Sequence, residues 1–190
     1  MLGLSGFYQN RIDNEFERNA AMAAKAVAGI VSGESIDRYH NTLQKDDEYT
    51  RILDFMRLIR SEPDIMFVYI VKYTDGGRYF IFDADIHDTG EMDLGYYESW
   101  DDIKEGTSFE FYSRLLNGER VEREISNTHW GWLLTMYEPI YREDGSVAAY
   151  SCADISMSDI LKERQSISTT IAFTILICFS LTIIITANLN

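Results

Sequence analysis

Residues 145–156 read Gly-Ser-Val-Ala-Ala-Tyr-Ser-Cys-Ala-Asp-Ile-Ser, and their alternation predicts a β-strand over 146–155. A period of two sets Ala149, Ser151 and Ala153 on one face and Ala148, Tyr150, Cys152 and Asp154 on the other. Three small side chains suit the close approach of a helix, and the long N-terminal one is the expected neighbour. The opposite face then offers Tyr150 and Asp154 to whatever covers it. A carboxylate ending an otherwise apolar strand is expensive to bury unless paired. Asp154 is therefore either a helix N-terminal partner beside Ser156 or a ligand anchor.

Downstream, Ser156 with Asp159 three residues on predicts a helix start. No charged residue occurs from Gln165 to Asn190, and Ile167 to Ala187 is a near-continuous run of apolar and hydroxyl side chains. As a helix this run would span roughly 30 Å, the thickness of a hydrocarbon core, and it is predicted to cross a membrane. Its serines and threonines are compatible with lipid because a hydroxyl can bond back to the helix backbone. Lys162 and Arg164 flank the near side with Glu163 between them, so the charge flanks alone orient the span weakly. No glycine or proline follows Gly145, so the strand and the apolar helix are expected to be joined without a hinge.

Upstream, Glu143-Asp144-Gly145 is a hairpin turn back to a predicted strand over 130–141. Arg120 to Ser126, Met66 to Tyr73 and Arg78 to Asp83 complete five expected strands, the last two joined by Asp75-Gly76-Gly77. Between Ala84 and Gly106 lie eight acidic residues against Lys104 alone, with Tyr96, Tyr97 and Trp100 among them; this segment is expected to be a lid. Thr107-Ser-Phe-Glu110 is a capping box opening a short helix that Gly118 closes. Nearer the start, Ile12, Phe16, Ala20, Ala23, Val27 and Ile30 form one stripe of a helix over about 10–31, stopped by Gly33. Ser35 is expected to cap a short turn, and Asp46 or Asp47 a second helix burying Tyr49, Ile52, Leu53, Met56 and Ile59 before Pro63. Residues 1–9 are expected to be the end of an upstream membrane helix, 10–160 one folded domain, and 161–190 a juxtamembrane and membrane-spanning helix.

Composition narrows the function. The 190 residues carry 17 basic and 31 acidic side chains, a formal charge of −14, with 46% apolar residues. That apolar content excludes a disordered acidic tail, and the charge excludes nucleic acid as partner. Cys152 and Cys178 have no metal-ligand spacing, so neither a disulfide nor a zinc site is expected, and no cofactor. Gly3-Leu-Ser-Gly6 is one residue short of a nucleophile elbow; His40, His87 and His129 are far apart; HExxH and phosphate-loop patterns are missing. The chain is not expected to be an enzyme. Asp83-Ala-Asp85-Ile-His87-Asp88 alternates carboxylates as calcium loops do but departs at the later positions, and reads as a solvated acidic loop. Asp83 ends its strand as ambiguously as Asp154, and Tyr69 and Trp132 are open to being core aromatics or pocket walls.

Met66-Phe-Val-Tyr-Ile70, Tyr79-Phe-Ile-Phe-Asp83, Trp130-Gly-Trp through Tyr137-Glu-Pro-Ile140, and the final Gly145 to Ser156 run together resemble the Cache family, the PAS-like extracytoplasmic sensor domains of bacterial receptors. The resemblance covers about residues 10–160. It implies an α+β fold, a single module with a five-stranded antiparallel sheet, a long N-terminal helix across one face and a small-molecule pocket on the other. It also implies a bacterial membrane location and an output of the histidine kinase, chemoreceptor or diguanylate cyclase kind. Carried over by position, Asp154 falls where ligand is often contacted and Tyr69 and Asp83 on pocket-lining strands; Trp100, Trp132 and Tyr150 complete the expected ligand-binding set. The arginine and tryptophan-tyrosine pair of the amino-acid-binding subgroup is missing, with Tyr97-Glu-Ser-Trp100 the nearest approach. Expected partners are a small-molecule ligand, membrane lipid and a second copy through the N-terminal helices. The acidic lid would repel a cationic or neutral compound less than a dianion, unless Arg78 or Arg114 reverses this. Ligand closure would shift the last strand against the N-terminal helix. A membrane-anchored interaction module without a ligand is the alternative, and a tethered hydrolase would need a nucleophile and base that the sequence does not display.

Overall fold

The computed structural model describes residues 2–84, 92–101, 103, 109–121, 123–128 and 130–189. In chain order the elements are α1 (Leu2–Ala28), α2 (Gly33–Thr42), α3 (Asp47–Arg60), β1 (Phe67–Thr74), β2 (Gly77–Asp83), β3 (Tyr97–Ser99), α4 (Phe109–Leu116), β4 (Arg123–Thr128), β5 (Gly131–Tyr141), β6 (Val147–Ser156) and α5 (Met157–Leu189). The strands form one sheet, ordered β3-β2-β1-β6-β5-β4, with every neighbouring pair antiparallel. The fold is thus α+β, with six strands instead of the expected five. The extra strand is β3, drawn from the segment expected to be a lid. Three residues are too few to show a period, and their pairing comes from β2, where Arg78 stands opposite Glu98.

Helices α2 and α3 cover one face of the sheet. Phe82 is stacked by Tyr49 at 4.3 Å and met edge-on by Tyr39 at 5.5 Å, and the Tyr49 hydroxyl donates to the carbonyl of Ile81. Ile36, Ile52, Met56, Val68 and Ile70 are buried in the same half of the core. Asp46 caps α3 as expected, accepting from the amide of Tyr49 at 2.8 Å. Ser32, not Ser35, caps α2. Gly33 opens that helix and does not stop the preceding one, which ends at Ala28. The reason is tertiary: a Cβ on Gly33 would sit 2.7 Å from Arg142 Cγ and 2.8 Å from the Tyr141 carbonyl, so the missing side chain lets α2 close onto the β5–β6 turn. Asp37 then receives two hydrogen bonds from Arg142 and pairs with Lys72, and Glu34 accepts the amide of Glu143. The helix lying against β6 is therefore α2, where the long N-terminal helix was expected.

The chain divides into two compact units, Phe16–Met157 and the pair of segments Met1–Glu15 and Ser158–Asn190. Within the first, α1 buries Ala20, Ala23, Ala24 and Val27, and Asn19 donates to Asp64. In the second, α5 is long and apolar enough to cross a membrane over Met157–Ala187. The hydroxyls of Thr169, Thr170, Thr174, Ser180, Thr182 and Thr186 all donate to the carbonyl four residues back, at 2.8–3.0 Å. No residue separates the end of β6 from the start of α5. The helix α1 begins at Leu2, so the expected boundary at residue 9 falls inside it.

Candidate functional site

Strand register lays out the sheet face away from α2 and α3 as rows of directly opposed residues, which share a face. One row crosses four strands as Glu124, Thr135, Asp154 and Phe67. The next holds Tyr137, Cys152, Tyr69 and Asp83, and the third Pro139, Tyr150, Val71 and Phe80. The last aligns Tyr73, Arg78 and Glu98. Polarity is graded. The third row is apolar core, where Val71, Phe80 and Tyr150 pack with Tyr112 and Leu115 of α4. The first two rows bury polar groups.

A bulge builds this arrangement. The β1–β2 register slips between Ile70 and Val71, so Ile81 has no direct partner. Simple alternation would put Asp83 on the face opposite Arg78 and Phe80; the extra residue restores all three to one face.

Asp154 is 3% exposed. Burial pushes its carboxyl up to about 7, against hydrogen bonds from the Thr135 and Tyr69 hydroxyls and the positive charge of Arg78, while the negative Glu124 adds to the rise. The Tyr69 contact is long, at 3.4 Å. Glu124 is also raised by burial, although the Tyr137 hydroxyl donates to it at 2.6 Å. Arg78 is held by Glu98, with Nε and Nη2 both 2.6 Å from the same carboxylate oxygen; the two side chains are 17% and 13% exposed. The guanidinium also lies 5.2 Å from the Phe80 ring centre. Among the described residues the buried Tyr73 hydroxyl has no hydrogen-bond partner. Burial drives its pKa well up, and the charges it senses are those of Cys152, Arg78, Tyr112 and Glu124. Its ring lies 5.8 Å from that of Tyr150 in the third row and 6.2 Å from that of Tyr112 on α4.

Of the six residues expected from sequence, the structure gathers Tyr69, Asp83 and Asp154 in adjacent rows. Trp100 stacks on Tyr73, with rings 3° from parallel and 6.0 Å apart, and its indole donates to the Asp75 carbonyl at 2.7 Å. Tyr150 is 1% exposed, and its hydroxyl reaches the carbonyls of Leu115 and Glu119 at 3.0 and 2.9 Å, fastening α4 to β6. Trp132 is not brought in. It is one step out of phase with Leu133 and Thr135, falls on the other face of β5, and is 41% exposed. Sequence reading missed Glu98, Glu124, Tyr73, Tyr137 and Thr135. None of them stands out by residue type or spacing within its own strand, and only the cross-strand rows bring them onto one face. Among the described residues no group of three or more His, Cys, Asp or Glu is placed to hold a metal. His87, His129, the acidic residues of 85–91 and the capping box at Thr107 lie outside the described residues.

No family model matches the sequence, and no curated protein matches it. Among solved structures, the chain is similar to the ligand-binding domain of the Campylobacter jejuni chemoreceptor Tlp3 in complex with 4-methylisoleucine. The identity is 13%, covering 83% of this chain and 57% of that one, with a TM-score of 0.47. The same domain with L-valine aligns at 13% identity over 81% and 65%, TM-score 0.37. With isoleucine bound it aligns at 12% over 81% and 64%, TM-score 0.36. The chain spans less than two thirds of each of these structures.

Proposed function

We propose that this chain is the sensor portion of a bacterial transmembrane receptor, a single Cache-type module outside the cytoplasmic membrane that binds a small molecule and relays a conformational shift through α5. The observation carrying this reading is a buried polar row on a sheet whose central strand, β6, runs without a break into a helix long and apolar enough for a membrane. Burying Asp154 and the Tyr73 hydroxyl costs stability that a purely structural sheet would avoid with apolar residues. Sites that bind ligands accept such costs because the ligand supplies the missing partners.

In this reading Tyr69, Asp83 and Asp154 form the floor of the ligand site, and Trp100 belongs to its cover. Helix α4 moves with the cover, and the Tyr150 hydroxyl ties that movement to β6. A ligand that contacts the cover more favourably in one arrangement of β6 than in another shifts the balance between them. Pairing of two copies through α1, which exposes Met22, would set two such strands side by side.

The test is a thermal-shift screen of small metabolites on the full chain in lipid nanodiscs. One chemical class should give a saturable rise in midpoint, since a ligand that binds only the folded state must stabilise it. Absence of any saturable stabiliser across a broad library would overturn the sensor reading in favour of an anchored interaction module.

A further inference from the structure

We propose that the end of the β4–β5 hairpin is a lipid-docking surface, on which Trp132, with Trp130 at the turn, rests in the headgroup region of the bilayer that α5 enters. The placement follows from register. Leu133 pairs with Ser156, the last residue of β6, and Thr128 pairs with Gly131, so Trp132 and the turn that carries Trp130 lie beyond the level at which β6 gives way to α5. The sheet is asymmetric in this respect. At its opposite end the turns are Asp75-Gly76 and Glu143-Asp144-Gly145, small or acidic throughout. Trp132 and Ile125 share one face and are 41% and 47% exposed. Helix α1 reaches that face at Arg123, which pairs with Glu17, and leaves these two side chains in the open. Trp130 meets Phe67, the first residue of β1, edge-on at 6.2 Å. Gly131 turns the chain between the two tryptophans at a φ of +121°, a conformation that suits glycine. Reach brings this surface to lipid. Eight residues, 157–164, separate Ser156 from the charge-free run that begins at Gln165, and as helix they extend no more than about 12 Å. The turn projects past Leu133 by three residues, roughly 10 Å of strand, and the headgroup region is roughly 5–8 Å deep on each side of the hydrocarbon, so the hairpin is long enough to close that gap. Tryptophan is favoured at this depth because its ring leaves water while its N–H keeps a hydrogen bond. The chain's charge of −14 disfavours an anionic surface, so the contact is apolar and suits a zwitterionic headgroup. Since β5 pairs with β6 from Leu133 to Tyr141, a hairpin held at the lipid would fix the end of β6 that feeds α5. The inference stands on the membrane span and on no ligand, so it holds or fails apart from the sensor reading.

The test is quenching of tryptophan emission by brominated lipid, with the full chain in phosphatidylcholine nanodiscs whose acyl chains carry bromine close to the headgroup. The chain has three tryptophans, and the third is an internal reference. The Trp100 indole donates to the Asp75 carbonyl at the opposite end of the sheet, about 30 Å away along the ten residues of β6. Trp100→Phe combined with Trp130→Phe leaves Trp132 as the emitter; Trp130→Phe combined with Trp132→Phe leaves Trp100. Bromine should dim the Trp132 emission about twofold and leave that of Trp100 unchanged. Unchanged Trp132 emission would overturn the docking, and aqueous iodide then tells what replaces it: quenching by iodide means an open, solvated face, and protection from iodide means a face covered by protein, such as a second copy. Equal dimming of both emitters would also overturn it, since the contact would then not belong to the hairpin end. Should either variant lose the far-UV circular dichroism of the parent, the unsubstituted chain decides: bromine should dim its emission in part, and no dimming, or complete dimming, sinks the assignment.

Discussion

Two aspartates pull stability in opposite directions with pH. Asp154 has a folded-state pKa of about 7, above the ordinary 3.8, so the folded chain keeps a proton that the unfolded chain has released. Its contribution is fully present below about pH 4 and is lost as pH rises through 7. Asp37 is the reverse: hydrogen bonds from Arg142, then from Lys72, hold it down at about 2 against burial, so its contribution is present above 3.8 and lost as pH falls through 2. Asp154→Asn should leave thermal stability near pH 4 unchanged and raise it at pH 8, by an amount on the order of 2–4 kcal/mol. Asp37→Asn should lower stability at pH 7 by about 1 kcal/mol, modest because the ion pairs are partly exposed. Thermal unfolding of each variant at pH 4, 7 and 8 checks both signs. Gly33→Ala should cost about 1–3 kcal/mol, since its methyl group would press on the Arg142 and Tyr141 backbone.

Among the elements, α4 and α5 carry the sharpest expectations. Helix α4 is tied to β6 through one phenol, so Tyr150→Phe should lower global stability by about 1 kcal/mol and raise amide exchange selectively across 109–119. Uniform exchange across the chain would show that the bond does not fasten the helix. For α5, Phe179→Arg places a charge within the apolar span and should reduce membrane integration by about 2.5–3.5 kcal/mol, read as loss of a glycosylation-reporter insertion signal. The cap at Asp46, the Val/Ile/Tyr-rich strands and the apolar run of α5 were legible because each depends on neighbours within a few residues. The start of α2, its seat on β6 and the existence of β3 were not, because Arg142, Tyr141 and Arg78 that settle them are distant in sequence.

Across the whole molecule, the acidic balance and the charge-free C-terminal stretch bounded the chain's class from composition alone. Periodicity then predicted five strands, and local pattern singled out Tyr69, Asp83 and Asp154 as strand residues of uncertain purpose. Their convergence required the third dimension. The bulge at Ile81 is silent in the alternation of β2, yet it turns Asp83 to the side of Arg78 and Phe80. Whether Arg78 is available depends on Glu98 across a three-residue pairing, and whether Asp154 is charged depends on how completely its surroundings exclude water. Trp132 had the same local credentials as Trp100, and one step of strand phase placed it on the other side of the sheet. Short-range preferences select helix, strand and lipid-compatible segment because their free energies are set by adjacent residues. The chemistry of a site belongs to the tertiary structure, because register, burial and charge pairing are decided by groups that meet only after the chain has folded.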